Sequence, residues 1–307
     1  MRYAYRVRYS VCIATFRRPD GLSALLQSLD GQILDDGDEL EIIVVDNDPP
    51  SAEPVIDAFR ATSKHTVIGA TQPVPNISLT RNAAVEIATG EWLWFVDDDE
   101  RAEPDCLQQL ISVAARTNAD VAFGHVLPDF ESSVPDWMAV APMFKRATPT
   151  DGADSLADRT GNTLVRRSIL TDVPGPFDEA LGTSGGEDSD LFHRLRLAGY
   201  RLVETDRAVV SETVPADRAD WQWMSQRSQR LGRLYADRVI RTADGQVTSP
   251  DVLMMLGKAA LQVAAYGAAT VVSWPNLAKR RHNQQKLYLN TGKLSTLTNR
   301  ETKSPWA

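Results

Sequence analysis

The chain has almost no cysteine. Among its 307 residues only Cys12 and Cys106 carry a thiol, far apart, in apolar surroundings and without a C-x-x-C pair. That excludes a disulfide framework and points to a reduced compartment. Apolar runs long enough to span a membrane are missing as well. A spanning helix needs about 20 apolar residues, and the best stretch, Ala259 to Trp274, offers sixteen without a charge before Pro275 ends it. Met1 to Tyr9 mix Arg and Tyr without an apolar centre, so no signal peptide is expected there. No Ser–His–Asp pattern, P-loop or zinc-ligand spacing occurs, and no internal repeat. The 18 Gly and 17 Pro follow no period, and 43% of residues are hydrophobic, so the chain buries a core and is not a low-complexity scaffold. Its length suits one large α/β domain with an appendage.

The net charge of −8 hides a division. From Trp221 to Ala307 there are 13 Lys and Arg against 4 Asp and Glu, whereas the first 220 residues hold 20 basic against 37 acidic. A nucleic-acid reader should carry its basic face on the folded body, so this balance argues against one. A basic tail suits something anionic, with a membrane surface the leading choice. Residues 1–220 therefore read as the body and 221–307 as a basic, partly apolar helical extension. The charge-free stretch in that extension precedes Lys279-Arg280-Arg281-His282. It is either a buried helix or an in-plane membrane helix anchored by those cations, and the flanking charge favours the membrane.

Three strand–helix units are legible. Tyr9 to Ala14 is a short apolar run, followed by a helical spacing of Leu22, Leu25, Leu26 and Leu29. Glu41 to Val45 is a second apolar strand and Trp92 to Val96 a third. Near-continuous apolar strands followed by helices predict a parallel sheet covered on both faces, with ligands beyond the carboxyl ends of its strands. Those ends carry Thr15 to Arg18, Asp46, and Asp97 to Glu100. Leu127 to Asp158 is Pro-rich and irregular, and a helix over Ser189 to Ala198 is expected to stop at Gly199.

Polar residues at these ends have two readings each. Asp97-Asp98-Asp99-Glu100 is either a solvated acidic turn or an oxygen-rich site for Mg²⁺ or Mn²⁺ completed by substrate phosphates. Asp46 either forms an Asx turn before Pro49-Pro50 or accepts a hydrogen bond from a nucleoside. Arg81, in a helix capped from the Asn76/Ser78 region, is a surface arginine or a diphosphate ligand. Glu187-Asp188 follow two glycines and begin a helix. They cap it, or one of them is a general base near an acceptor hydroxyl.

The motifs T-F-R-R-P at 15–19, V-V-D-N-D at 44–48, N-I-S-L-T-R-N at 76–82, G-E-W-L-W-F-V-D-D-D-E at 90–100 and G-G-E-D-S-D-L-F-H-R-L at 185–195 stand in one order over roughly residues 8 to 235. Together they resemble the inverting family 2 glycosyltransferases of GT-A fold, a nucleotide-diphospho-sugar transferase fold with a Rossmann-like, mostly parallel sheet. G-N-T-L-V-R-R at 161–167 and V-V-S-E-T-V-P-A-D-R at 209–218 are similar, more narrowly, to bacterial exopolysaccharide glucosyltransferases of the succinoglycan type.

The resemblance implies roles. Thr15, Arg18 and Asp46 would hold uridine, Arg81 would stand near the base or diphosphate, and Asp98 would touch the ribose. Asp97 and Asp99 would form a D-x-D site for a divalent cation, Asp99 the direct ligand. Asp188 would be the base, and Glu187 would bind the acceptor or orient Asp188. Many relatives have a metal-shell histidine where this chain reads Ser211-Glu212, so Glu212 or water would complete the shell. The Q-x-x-R-W of processive members is replaced by Gln226-Arg227-Ser228-Gln229-Arg230-Leu231, which implies single additions. The implied partners are a UDP-hexose and a polyprenyl-diphosphate-linked saccharide at the cytoplasmic membrane face. A metal-dependent sugar nucleotidyltransferase and a non-catalytic, membrane-associated nucleotide-sugar-binding protein are the rival readings. The first normally needs a Gly-rich loop where Thr15 to Gly21 has one Gly, and the second would not need both the D-x-D and the Glu-Asp groups.

Overall fold

The computed structural model describes residues 6–171 and 175–298. Part of the Met1 to Tyr9 segment and the end of the basic extension, 299–307, lie outside the described residues. In chain order the elements are β1 (Arg8–Thr15), α1 (Pro19–Asp30), β2 (Glu39–Asp46), α2 (Glu53–Arg60), β3 (Thr66–Thr71), α3 (Ile77–Ile87), β4 (Trp92–Phe95), β5 (Glu100–Ala102), α4 (Cys106–Thr117) and β6 (Val121–Phe130). There follow α5 (Asp136–Ala139), β7 (Thr163–Arg166), α6 (Ser168–Thr171), α7 (Glu187–Leu197), β8 (Leu202–Val214), α8 (Trp221–Thr242), α9 (Pro250–Val272) and α10 (Leu277–Ser295).

Eight strands form one sheet in the order β3-β2-β1-β4-β7-β6-β8-β5. The sheet is mixed. β1, β2, β3 and β4 pair in parallel, as strands joined by crossover helices must. The pairs β4–β7, β6–β7 and β5–β8 are antiparallel. The expectation of a mostly parallel sheet thus describes the N-terminal half only.

Alternation along the strands explains the two covered faces. Val11, Ile13, Ile42 and Val44 join α1 and α4 in one core, while Cys12, Ile43, Val45 and Phe95 join α3 and α7 in another. The expected leucines 22, 25, 26 and 29 of α1 are all fully buried. Each contributes about 1.5–3 kcal/mol relative to exposure. α7 runs as the sequence suggested and gives way to Gly199 at φ +85°.

The chain divides into two compact units. One contains the sheet, ending at Leu127 and resuming over Ala147–Thr213. The other contains Pro128–Arg146 and, among the described residues, 214–298. The sequence put the division at 220/221, with 128–146 in the body. Aromatic packing explains the difference: Phe130, Trp137, Met138 and Phe144 cluster with Val214, Trp221, Trp223 and Met224.

Within this second unit, α8 and α10 meet backbone to backbone. A Cβ on Gly232 would stand 1.8 Å from the Leu289 carbonyl oxygen, and one on Gly292 would stand 2.0 Å from that of Gln229. Asp220, Ser249 and Asn276 cap α8, α9 and α10 through their side chains. α9 has 23 residues and is long and apolar enough to cross a membrane by length and composition alone. Its start at Pro250 lengthens the sixteen-residue stretch read from sequence. Only Val252, Met255 and Ala259 are buried. Leu261, Val271, Val272 and Trp274 are 68–82% exposed, so the second unit does not bury this helix.

Candidate active site

The carboxyl ends of β1, β2 and β4 lie side by side, since Thr15 pairs with Asp46 and Cys12 with Phe95. The turn after β4 therefore meets the loop after β1. Asp98 is 6% exposed and points into that loop. It accepts hydrogen bonds from Thr15 Oγ1 (2.9 Å) and Arg18 Nη1 (2.8 Å). Burial pushes its carboxyl up to about 6, with Arg18 opposing and Asp99 adding to the rise. Arg18 also pairs with Asp99 Oδ2 at 2.6 Å. α1 can approach because Gly21 has no side chain: a Cβ there would stand 2.6 Å from the Asp98 carbonyl oxygen.

Asp46 is 2% exposed, and its carboxylate is occupied by its own loop. It accepts from Asp48 N (2.9 Å), Ser51 Oγ (3.0 Å) and Ala52 N (2.8 Å). The geometry here is the Asx turn. Asp46 shapes the loop beside Thr15 and, in this structure, does not present an oxygen outward.

The N-I-S-L-T-R-N segment does two jobs. Asn76 caps α3 by accepting from Leu79 N (3.1 Å). Asn76, Ser78 and Asn82 donate from their side chains to the carbonyls of Glu179, Asp178 and Phe177, tying α3 to the segment that leads into α7. Arg81 completes this tie. Its guanidinium is ion-paired with Glu187 Oε1 and lies 3.3 Å from Asp97 Oδ1. The arginine assigned by sequence to a base or diphosphate thus joins the Glu-Asp pair to the acidic turn.

Glycine opens α7. Gly185 and Gly186 have φ of +87° and +96°, a conformation that suits residues without a Cβ. Glu187 follows, 5% exposed, with Oε2 buried and, among the described residues, without a hydrogen-bond partner. Asp188 accepts from Ser189 N at 2.7 Å. Burial, with Glu187 adding and Arg81 opposing, pushes its carboxyl up to about 7. A carboxylate poised there is suited to general-base work at neutral pH.

Glu100 is the acidic-turn residue to which sequence reading gave no role of its own. It is 2% exposed and bonded to backbone on both sides: Asp97 N and Asn162 N donate to its Oε2. Burial, with Asp97 and Glu212 adding, raises its carboxyl well above the usual range. Glu212 stands opposite Glu100 in the β5–β8 register, which brings it to the acidic turn. The signal for Glu100 was the Gly-Asn pair at 161–162, which was legible as a motif but not as a partner.

Among the described residues, no three His, Cys, Asp or Glu side chains are grouped to hold a metal ion. The donor chemistry still fits a divalent cation. Asp97, with its side chain 45% exposed, and Asp99 offer hard carboxylate oxygens on one turn. Mg²⁺ is commonly held by one or two carboxylates with substrate phosphates completing the shell.

Comparison with known proteins decides the family. Residues 10–173 match the model for glycosyl transferase family 2. The chain belongs to that family. Similar proteins include the succinoglycan biosynthesis protein ExoM of Rhizobium meliloti (strain 1021), 29% identical over 93% of this chain and 91% of that protein. A glucosyl-dolichyl phosphate glucuronosyltransferase of Haloferax volcanii is 29% identical over 76% of this chain and 77% of its own. Among solved structures, the mannosyltransferase PcManGT of Pyrobaculum calidifontis, in complex with GDP-Man and Mn²⁺, superposes with TM-score 0.65 at 18% identity, covering 97% of this chain and 89% of that one. TarS 1-349 of S. aureus, in complex with UDP, gives 0.53 at 18%, covering 96% and 93%. These likenesses establish the GT-A fold for this family 2 transferase, with a helical C-terminal region.

Proposed function

We propose that the chain moves a glucose-like hexose from a UDP-sugar to a hydroxyl of a polyprenyl-diphosphate-linked saccharide, with inversion, in bacterial exopolysaccharide biosynthesis. The observation that carries this reading is the half-buried Asp188, set beside the buried Glu187 and Arg81 and tied through Arg81 to Asp97. The similarity to a succinoglycan biosynthesis protein over nearly the full length of both chains supports the pathway class.

The residues divide the work. Thr15, Arg18 and Asp98 form the nucleoside side, with Asp46 shaping the loop. Asp97 and Asp99 would hold Mg²⁺ or Mn²⁺, with Glu212 or water completing the shell. When bound, the cation supplies Lewis-acid neutralisation of the charge on the departing nucleoside diphosphate. Glu187 takes an acceptor hydroxyl on its unpartnered Oε2. Asp188 removes the proton of the attacking hydroxyl as its oxygen bonds to the anomeric carbon from the face opposite the leaving group. One displacement inverts that centre, so an α-linked donor gives a β-linked product. Arg81 keeps the carboxylates of both halves in register.

The acceptor lipid cannot leave its bilayer, so the enzyme works as a peripheral protein on the cytoplasmic face of the inner membrane. The exposed apolar side of α9, Trp274 and the cations Lys279 and Arg280 support that placement. The test is a panel of nucleotide sugars with saccharide acceptors, read by nucleotide release and by the anomeric configuration of the product. UDP-glucose giving a β-glycoside is the expected result. A retained α-linkage, or nucleotidyl transfer with pyrophosphate release, refutes the reading.

A further inference from the structure

The G-N-T-L-V-R-R motif has no part in the mechanism above, yet its first two residues are built around the acidic turn. β7 runs antiparallel to β4, which puts its start beside the end of β4, where Phe95 pairs with Thr163. Gly161 and Asn162 therefore abut Asp97 to Glu100. A Cβ at Gly161 would stand 2.6 Å from Glu100 Oε1 and 3.1 Å from Asp97 Oδ2. Asn162, fully buried at φ +48°, donates its backbone N–H to Glu100 Oε2 at 3.2 Å. The same oxygen accepts from Asp97 N at 3.0 Å, while Glu100 N donates to Asp97 O at 3.0 Å.

Asn162 is itself clamped. Its amide donates to Ala208 O (3.0 Å) and His125 O (3.2 Å) and accepts from Trp94 Nε1 (3.2 Å). That spends side-chain bonds to three strands on holding one residue in a left-handed conformation. On the other side, Thr213 N donates to Asp99 O at 2.8 Å. The turn carrying Asp97 and Asp99 is thus fixed at both ends, and the Glu100 carboxylate is the group that closes it.

We infer that Glu100, seated by Gly161 and Asn162, is the positioning residue of this turn. It sets where Asp97 and Asp99 present their oxygens and so governs affinity for a divalent cation bound with a nucleoside diphosphate. The inference rests on the reading that Asp97 and Asp99 hold that cation. Glu100 itself does not touch substrate.

Calorimetric titration of UDP, in EDTA and in Mn²⁺, tests it on the full chain. In the parent, Mn²⁺ should tighten UDP. E100Q retains an amide oxygen for both N–H donors and should keep that gain within about threefold. E100A should lose it at least tenfold, with UDP affinity in EDTA unchanged. If E100A does not fold, G161A carries the test. Gly161 is not in the left-handed region, so the substitution adds a methyl that presses hardest on the Glu100 carboxylate (2.6 Å) and more lightly on Asp97 Oδ2 (3.1 Å), and the Mn²⁺ gain should again fall. An undiminished gain in E100A or G161A, or equal losses with and without Mn²⁺, overturns the inference while leaving the metal reading standing. No Mn²⁺ gain in the parent overturns both.

Discussion

Asp188 is the residue whose chemistry the structure makes most exacting. Its carboxyl is pushed up to about 7 from an ordinary 3.8, by burial first and by Glu187 second, against the pull of Arg81. At pH 6 about one molecule in ten then carries the ionised base, and at pH 5 about one in a hundred. kcat/KM should therefore rise about tenfold per pH unit up to neutrality and level off above it. A carboxylate of ordinary acidity would give a flat profile from pH 5 upward. Asp188→Asn keeps the size and the helix start but cannot take a proton. Turnover should drop by about 10² to 10⁴, and the residual rate should lose its acid limb. UDP affinity should hardly change. The assay is initial-rate nucleotide release between pH 5 and 8.5, in parent and variant. A flat parent profile, or a variant that keeps the limb, refutes the assignment of Asp188 as base. The stability effect has a definite sign. A carboxyl whose folded pKa is raised favours the folded state at low pH, and that contribution is lost as pH rises from 3.8 to about 7.

Asp99→Ala should remove the Mn²⁺-dependent gain in UDP affinity, measured by calorimetry, while the melting temperature stays near that of the parent. Arg81→Met leaves Glu187 buried without its cation, at a cost of about 3–5 kcal/mol in chemical denaturation. It also moves the acid limb of the rate profile to higher pH, because Arg81 favours the Asp188 anion. Replacing Val271, Val272 and Trp274 with Ser should weaken co-sedimentation with anionic vesicles, and Lys279→Gln with Arg280→Gln should weaken it further by about 1 kcal/mol each. Truncation after Gly245 is a poorer test, since it strips α8 of the α10 backbone on which Gly232 rests.

The sheet core was legible because its strands announce themselves. Ile42, Ile43, Val44 and Val45 in sequence can be buried on both sides only by helices on both faces, and they are. The antiparallel half was not. β6 begins in the charge-flanked Val121 and ends among prolines, and β7 is four residues long, so neither carries a period that separates it from a loop. The 128–146 segment was assigned to the body for a related reason. Its aromatic residues Phe130, Trp137 and Phe144 fall seven apart, but Pro135 and Pro142 interrupt any helix that would use that spacing, and the partners that explain them, Trp221 and Trp223, come about 80 residues later.

At the site, residue type told where charge gathers but not which way each side chain faces. Three consecutive aspartates on a turn cannot point the same way. Here Asp98 turns inward to Thr15 and Arg18, and Asp97 remains the more open of the three. Asp46 likewise spends both oxygens on its own loop. Arg81 makes the point most sharply. From sequence, a helix start bearing an arginine reads as an anion site. Its actual anions are Asp97, sixteen residues on, and Glu187, 106 residues on. A buried guanidinium is stable only when paired, so once the fold brings Glu187 against α3, the protein's own carboxylates compete with any phosphate for Arg81. A ligand can then claim Arg81 only by displacing an acid that the mechanism needs in place. That makes Arg81 a strut between the two acidic pairs and, on the proposed mechanism, leaves the diphosphate to the cation that Asp97 and Asp99 would hold.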